Sequence, residues 1–236
     1  MTSLAIAIDG PVASGKSSVG ARVAAALGWP FIDTGTTYRA LTWLALQRGI
    51  DATDADALAR LAATTRMQVI PARTPDETQR VIVDGLDATS HLRDPDVEQR
   101  VSAVSAVPEV RARMVELQRR LAQDSPVVMV GRDIGTVVLP DAPLKIYLDA
   151  TAETRAARRA AELERKGTAR PYVQVLAETR ARDAYDSSRA TAPLRPADDA
   201  IVIVTDHLAE DEVVTRILAL AEERLGVHAR PGYVQP

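Results

Sequence analysis

Cysteine is absent from this chain of 236 residues, which excludes disulfides, thiol catalysis and cysteine-ligated metal sites. The three histidines, His91, His207 and His228, are isolated in the sequence without metal-ligand spacing, so we predict turn or surface positions for them. A field of positive charge is also lacking, because 32 acidic residues outnumber 29 basic ones and the net charge is -3. We therefore expect no polymeric nucleic acid as a partner.

Long apolar runs are missing too, since none reaches the roughly 18 residues that a membrane-spanning helix needs. The N-terminal sequence reaches Asp9 with no basic residue before it, which predicts no secretory signal. Neither a coiled-coil seam nor a strongly apolar surface helix is evident, and this favours a monomer. We expect a cytoplasmic monomer without a membrane partner.

Five short, almost continuously apolar runs have the character of strands in a parallel sheet that is covered on both faces. They occupy residues 4–8, 31–33, 127–130, 144–149 and 201–205. Segments with helical periodicity follow or separate them, at 17–27, 36–47, 153–164 and 210–225. This alternation predicts an α/β fold with a doubly wound, five-stranded parallel sheet, helices on both faces, and ligands at the carboxyl ends of the strands.

Residues 52–124 interrupt the alternation. A helical run at 54–65 is followed by two β-like runs at 67–70 and 80–84, and then by two helical pieces around Pro108, which suits the first turn of a helix. We interpret 52–124 as an α+β insertion, and 1–51 with 125–236 as the core. Within the core, 151–172 includes several arginines and is interpreted as a mobile cover over bound phosphates.

A glycine-framed lysine loop lies between the first strand and the first helix. Gly10, Gly15, Lys16 and Ser17 satisfy G-x-x-x-x-G-K-[ST], and Lys16 is one of only three lysines in the chain. Backbone N–H groups of such a loop face nucleotide phosphates, while the lysine neutralises them and the serine can ligate Mg²⁺. A chance match is the alternative, but strand, motif and helix are all in register. The predicted ATP-binding residues are Gly10, Pro11, Val12, Ala13, Ser14, Gly15, Lys16, Ser17 and Ser18.

Other nucleotide-binding classes fit the chain less well. A GTPase would carry a guanine-reading N-K-x-D tetrapeptide, and none occurs. A motor would have an apolar strand ending in a carboxylate, whereas here the third core strand is followed by Gly131, Arg132 and Asp133. The residues after that strand favour a second anionic ligand at the same edge of the sheet.

Two more groups of residues suit this second ligand. Thr34 and Arg39 follow the second strand, although an N-capping threonine with a solvated arginine explains them equally well. The spacing of Arg182, Asp186 and Arg189 is that of one helical face. Such a face can bind a sugar phosphate, or it can form a ladder of ion pairs on the surface. For Arg132 and Asp133 the alternative is an ion pair at the strand end.

Four stretches resemble bacterial cytidylate kinases over nearly the whole chain: DGPVASGKSSV, DTGTTYRAL, GRDIGTVVLPDAPLKIYLDAT and RDAYDSSRATAPLRPADDAIVI. The resemblance implies that the γ-phosphoryl group of ATP is transferred to CMP or dCMP with Mg²⁺, giving ADP and CDP or dCDP. The insertion at 52–124 is similar to the enlarged nucleoside-monophosphate-binding region of that family.

Carried over by position, the resemblance implies that Arg39 and Arg132 hold the acceptor phosphate and act with Lys16 in catalysis. It further implies a cytosine site of Thr34, Arg111, Asp133 and Arg189, and a pentose site of Ser102, Arg182 and Asp186. Threonine at position 34 departs from the serine of the family. A carboxylate with an arginine matches the amine donor and the acceptors of the cytosine edge, whereas uracil reverses that donor pattern.

Two alternatives remain at this stage. The arginines alone allow a kinase of another small acceptor, and the loop alone allows a nucleotide sensor without catalysis.

Overall fold

The computed structural model describes residues 4–74, 77–189, 191–230 and 233. Its strands in chain order are β1 Ala5–Asp9, β2 Phe31–Asp33, β3 Met67–Ile70, β4 Arg80–Val83, β5 Leu86–Asp87, β6 Val127–Gly131, β7 Leu144–Asp149 and β8 Ile201–Val204. Its α-helices are α1 Lys16–Leu27, α2 Gly35–Gln47, α3 Ala55–Thr64, α4 Pro95–Val104, α5 Pro108–Leu121, α6 Ala152–Arg165, α7 Tyr172–Ser187 and α8 Glu210–Leu225. No helix within these residues is long and apolar enough to cross a membrane.

The five predicted core strands form one parallel sheet in the order β2-β6-β1-β7-β8. The central strands are buried on both faces, which explains their continuous apolar sequences. Ile6 and Ile8 of β1 pack with α1 and α8, while Ala5 and Ala7 face a second cluster that includes residues of α5. The predicted doubly wound fold with helices on both faces is therefore confirmed.

The insertion consists of α3, the antiparallel sheet β3-β4-β5, a short 3-10 helix, α4 and α5. Its apolar side chains share one core with α2, in which Leu41 and Leu44 pack among residues such as Leu58 and Val97. The second half of α5 contributes Val115 to the cluster beneath the large sheet. The insertion is thus packed against the core through α2 and α5. The two-residue strand β5 and the 3-10 helix were not predicted, because such short elements show no periodicity.

Buried amide side chains also join the insertion to the core. Gln79, just before β4, accepts a hydrogen bond from the backbone N–H of Asp33 at 2.7 Å and donates to Thr36 Oγ1 at 2.6 Å. Gln118 of α5 donates to Thr37 Oγ1 at 3.0 Å. These contacts fix the junction of β2 and α2, where two of the predicted site residues lie.

The segment 151–172 contains α6 and the turn that leads into α7, and the two helices pack on each other. Thr151 caps α6 by accepting a hydrogen bond from the backbone N–H of Thr154. That 151–172 acts as a cover stays a prediction.

Candidate active site

The phosphate loop connects β1 to α1 in a conformation that its glycines permit. Gly10 has φ 151°, and a Cβ at this position would lie 2.2 Å from the carbonyl oxygen of Leu148, so no larger residue fits. Gly15 has φ 89° and is the N-cap of α1. The free N–H groups at the start of this helix, together with the helix dipole, make the loop an anion site.

The side chain of Lys16 in this loop is suited to bound phosphates. Lys16 Nζ donates a hydrogen bond to the carbonyl oxygen of Pro11 at 2.6 Å, which holds the ammonium group across the loop. Burial and the nearby charge of Arg132 lower the pKa of Lys16 well below its usual value. An anion bound beside Lys16 would relieve that repulsion, so the loop is electrostatically prepared for one.

A single cleft of about 820 Å³ opens at the carboxyl ends of the strands and continues from the phosphate loop to the insertion. Most of the predicted site residues line it: Val12, Ala13, Ser14, Gly15, Lys16, Ser17, Ser18, Thr34, Arg39, Arg111, Arg132, Asp133, Arg182, Asp186 and Arg189. The lining does not include Gly10, Pro11 or Ser102. Residues from the core and from the insertion therefore share one binding space.

A buried ion pair forms the insertion side of the cleft. Arg111 of α5 donates from Nη2 to Asp133 Oδ2, and both residues are about 5% exposed or less. Nη1 of Arg111 also donates to the carbonyl oxygen of Ser105 at 3.1 Å, and its guanidinium lies 5.7 Å from the ring centre of Tyr38. Burial disfavours the charge of Asp133, while the guanidinium groups of Arg111 and Arg189 favour it. This pair offers a fixed carboxylate and a fixed guanidinium to a ligand.

Thr34 directly follows β2, and a Cβ added at Gly131, two residues before Asp133, would lie 2.6 Å from Thr34 Oγ1. The Thr34 hydroxyl donates to the carbonyl oxygen of Val130 at 2.9 Å. With its proton used in this way, Oγ1 can only accept a hydrogen bond from a ligand.

Between the ion pair and the phosphate loop lies a group of arginines with incomplete partners. Burial, followed by the charge of Arg93, lowers the pKa of Arg39 to about 10. Burial, followed by the charge of Arg132, lowers that of Arg182 to about 9. Nε of Arg39 and Nε of Arg182 are buried without a hydrogen-bond partner among the described residues. Crowded, partly unsatisfied guanidinium groups of this kind are suited to a phosphate.

Comparison with known proteins decides the family. The model of the cytidylate kinase family matches residues 6–223. The chain belongs to the cytidylate kinase family. It is 45% identical to the cytidylate kinase of Mycobacterium leprae (strain Br4923), with 96% of this chain and 99% of that protein covered. It is likewise 45% identical to the cytidylate kinase of Desulfitobacterium hafniense (strain Y51), with 98% and 97% covered.

Some relatives in this family are longer. The chain is 47% identical to the bifunctional pantoate ligase/cytidylate kinase of Synechococcus sp. (strain JA-3-3Ab), and it covers 41% of that protein while 93% of this chain is matched. The chain therefore spans about two fifths of the length of this bifunctional relative. An uncharacterized protein from Eubacterium ventriosum ATCC 27560 has a similar structure, with a TM-score of 0.50, 16% identity, and 94% of this chain and 99% of that chain covered. This last likeness shows the fold alone.

One prediction about the geometry of the site was wrong. Arg182, Asp186 and Arg189 were expected on one helical face, but α7 ends at Ser187 and Arg189 lies beyond it. Arg189 still lines the cleft, and its Nη2 pairs with Asp186 Oδ1 at 2.5 Å. The prediction from the i, i+7 spacing required the helix to continue through Arg189, but α7 ends two residues earlier.

Several further residues line the cleft, and most of them were not predicted. Asp33 accepts a hydrogen bond from Ser17 Oγ at 2.8 Å, and Ser105 Oγ accepts one from Arg189 Nη2 at 3.3 Å. Glu98, Val101 and Ser105 of the α4 region line the cleft at three- and four-residue spacing, so a helical projection of α4 could have identified Ser105. The other unpredicted polar lining residues are Tyr38, Arg93, Glu162, Thr205 and Glu210. Arg158, Arg159 and Arg165 also line the cleft and belong to the predicted cover at 151–172.

Asp9 links the phosphate loop to the turn that follows Asp133. It ends β1, directly before the phosphate loop, and is buried. Its carboxylate oxygens accept hydrogen bonds from the backbone N–H groups of Ile134 at 2.8 Å and Gly135 at 2.7 Å. These bonds hold the turn after Asp133 against the strand that leads into the loop.

Asp9 is expected to make folding stability depend on pH. Burial raises its pKa to about 6, so between about pH 4 and pH 6 the folded protein keeps a proton that the unfolded chain releases. The contribution of Asp9 to the free energy of unfolding therefore falls as pH rises through this window, by at most about 3 kcal/mol. Denaturant unfolding of the wild type and of Asp9→Asn at pH 5 and pH 8 measures this effect. Between pH 5 and pH 8 the free energy of unfolding of the wild type should fall relative to that of Asp9→Asn, whose side chain does not titrate. An equal difference at both pH values would contradict it.

Proposed function

We propose that this chain transfers the γ-phosphoryl group of ATP to CMP or dCMP, giving ADP and CDP or dCDP. The observation that carries the proposal is the buried Arg111–Asp133 pair, which shares one cleft with the phosphate loop. A phosphate loop without an acceptor site would suit a sensor or a hydrolase. Here the same cleft offers a fixed pattern of donors and acceptors for a base.

Cytosine fits this pattern. Asp133 and the Thr34 hydroxyl act as acceptors for the exocyclic amine, while Arg111 and Arg189 donate to the ring acceptors. A uracil edge would place a carbonyl against the Asp133 carboxylate. Leaving buried groups unpaired is costly, so the same site would reject UMP.

The acceptor phosphate would lie between Arg39 and Arg132, beside the loop, and Arg182 of the pentose site adds a third positive charge next to them. The charges of Arg132 and Arg182 reach Lys16, since both depress its pKa. Arginines of the acceptor side and the lysine of the donor side therefore surround one position. A phosphoryl group passing between the two nucleotides spreads negative charge at this position, and positioned cations stabilise that charge.

The residues present are suited to Mg²⁺. Ser17 Oγ and Asp33 Oδ2 lie 2.8 Å apart at the start of α1, so a hydroxyl and a carboxylate face the same space as the bound phosphates. Oxygen ligands of this type are the ones that Mg²⁺ prefers. When bound, the ion would neutralise phosphate charge, with Ser17 as a ligand and Asp33 holding its waters. Asp9 is less suited, because both of its oxygens are used by backbone N–H groups.

Action as a monomer in the cytoplasm stays a prediction.

Acceptor specificity tests the proposal. ADP formation from ATP and Mg²⁺ is measured with CMP, dCMP, UMP, AMP, GMP and shikimate as acceptors, and without any acceptor. We expect turnover with CMP or dCMP at least about a hundredfold above that with UMP, the size of discrimination that a hydrogen-bonding site provides. Preferred turnover of another acceptor, or none with any of them, would overturn the proposal.

A further inference from the structure

Arg155 occupies a buried position between the phosphate loop and α7. It lies in the first turn of α6, and its side chain is 6% exposed. Nη1 and Nη2 donate to the two carboxylate oxygens of Asp183 at 3.0 and 2.6 Å. Nη1 also donates to the carbonyl oxygen of Val12 at 3.3 Å, and Nε to that of Ala150 at 2.9 Å. One guanidinium thus contacts the phosphate loop and α7 at once.

This role differs from that of the neighbouring arginines on α6. Arg158 and Arg159 line the cleft, but Arg155 is not part of the lining. Its hydrogen bonds are made to protein groups rather than directed into the binding space. Arg155 is therefore suited to placing other residues, and the planar fork of arginine makes the bidentate contact to Asp183 rigid.

Two of the three partners of Arg155, Val12 and Asp183, belong to opposite halves of the site. Val12 lines the phosphate loop end of the cleft. Asp183 follows Arg182 directly on α7, and Asp186, one turn further on, accepts a hydrogen bond from Arg132. A small movement of the loop on binding a triphosphate would shift the Val12 carbonyl. Through Arg155 that shift reaches the helix that carries the acceptor-side charges.

We propose that Arg155 is a positioning residue that couples the donor loop to α7, so that a bound triphosphate increases affinity for the acceptor nucleotide and aligns it for transfer. The inference rests on the proposed function, because the acceptor site is the one assigned there. Reciprocity requires that the acceptor raise the affinity for the triphosphate by the same factor.

Calorimetric titration tests the coupling. The dissociation constant for CMP is measured alone and with a saturating, non-hydrolysable ATP analogue and Mg²⁺. We expect at least about fivefold tighter CMP binding with the analogue in the wild type. Arg155→Lys keeps the charge beside Asp183 but loses the fork, so the ratio should fall to near one while CMP alone binds as before. Its kcat should fall by about tenfold or more, because donor and acceptor are less well aligned.

A matched control lies on the same two helices. Arg180 of α7 pairs with Glu153 of α6, but both side chains are more than half exposed and the phosphate loop is not involved. Arg180→Gln should leave the ratio unchanged. If Arg155→Lys fails to fold, Asp183→Asn provides the second measurement, with a reduced ratio expected.

The outcomes separate this inference from the proposed function. A wild type that phosphorylates CMP without coupling, or an unchanged ratio in Arg155→Lys, overturns the inference alone. Equal loss in Arg180→Gln also overturns it, because any contact between α6 and α7 would then suffice. A wild type that does not phosphorylate CMP overturns the proposed function, and the inference with it.

Discussion

Replacing Lys16 with alanine is expected to lower kcat by at least about a thousandfold, which corresponds to about 4 kcal/mol of transition-state stabilisation. Lys16 is held across the phosphate loop by its hydrogen bond to Pro11, and Arg132 and Arg182 lie within range of its charge. Neither of the other two lysines lines the cleft: Lys145 pairs with Asp199 and Lys166 with Glu162. Steady-state kinetics with ATP and CMP measure the loss.

The same variant should not destabilise the protein. Because the folded state lowers the pKa of Lys16, the folded state disfavours its charge, and removing that charge at neutral pH should leave the unfolding temperature equal or higher. Lys166→Ala is the matched control, as Lys166 is an exposed lysine and should be dispensable for turnover. A normal kcat in Lys16→Ala would refute the assignment of the loop.

The core of the fold was predictable because its central strands are buried on both faces. A strand in that environment needs apolar residues at every position, so the runs at β1, β6 and β7 are visible without any partner. The phosphate loop was predictable for a different reason. The residues that bind phosphate are consecutive in the sequence, so the motif is recognisable without knowledge of the fold. The resemblance to cytidylate kinases is confirmed by the family match over residues 6–223.

Contacts between distant segments were not predictable from the sequence. The hydrogen bonds of Ser105 with Arg189, and of Gln118 with Thr37, join residues that are more than 80 positions apart. They depend on how α4 and α5 of the insertion dock on the core, which no local pattern specifies. Glu98 of α4 likewise meets Arg159 of α6 across the cleft.

Arg155 illustrates the same limit. Its sequence neighbourhood is rich in arginine, and the pattern predicted a cover over the phosphates. A charged residue in the first turn of a helix is usually solvated, but Arg155 is buried because Asp183 and the Val12 carbonyl satisfy it. Only the packing of α6 against α7 brings those groups together.

Replacing Asp133 with asparagine is expected to lower kcat/KM for CMP by about a thousandfold or more. A buried site that is built to form hydrogen bonds loses transition-state binding on this scale when one of those bonds cannot form. The variant leaves the guanidinium of Arg111 buried without its counter-charge, next to the proposed base. It also replaces an acceptor-only carboxylate with an amide that can turn either its oxygen or its amine toward the ligand. Discrimination between CMP and UMP should therefore narrow, because the amide can pair with a uracil carbonyl.

Stability and specificity are expected to fall together in Asp133→Asn, since the same ion pair supports both. Breaking one side of a buried pair costs about 3 kcal/mol or more of folding free energy. Asp96→Asn is the control, because Asp96 forms an exposed pair with Arg100 on α4, and it should change neither quantity measurably. Kinetics with CMP and UMP, together with denaturant unfolding, distinguish the two effects. If Asp133→Asn retained the CMP to UMP ratio of the wild type while losing stability, the pair would be structural and the cytosine site would lie elsewhere in the cleft.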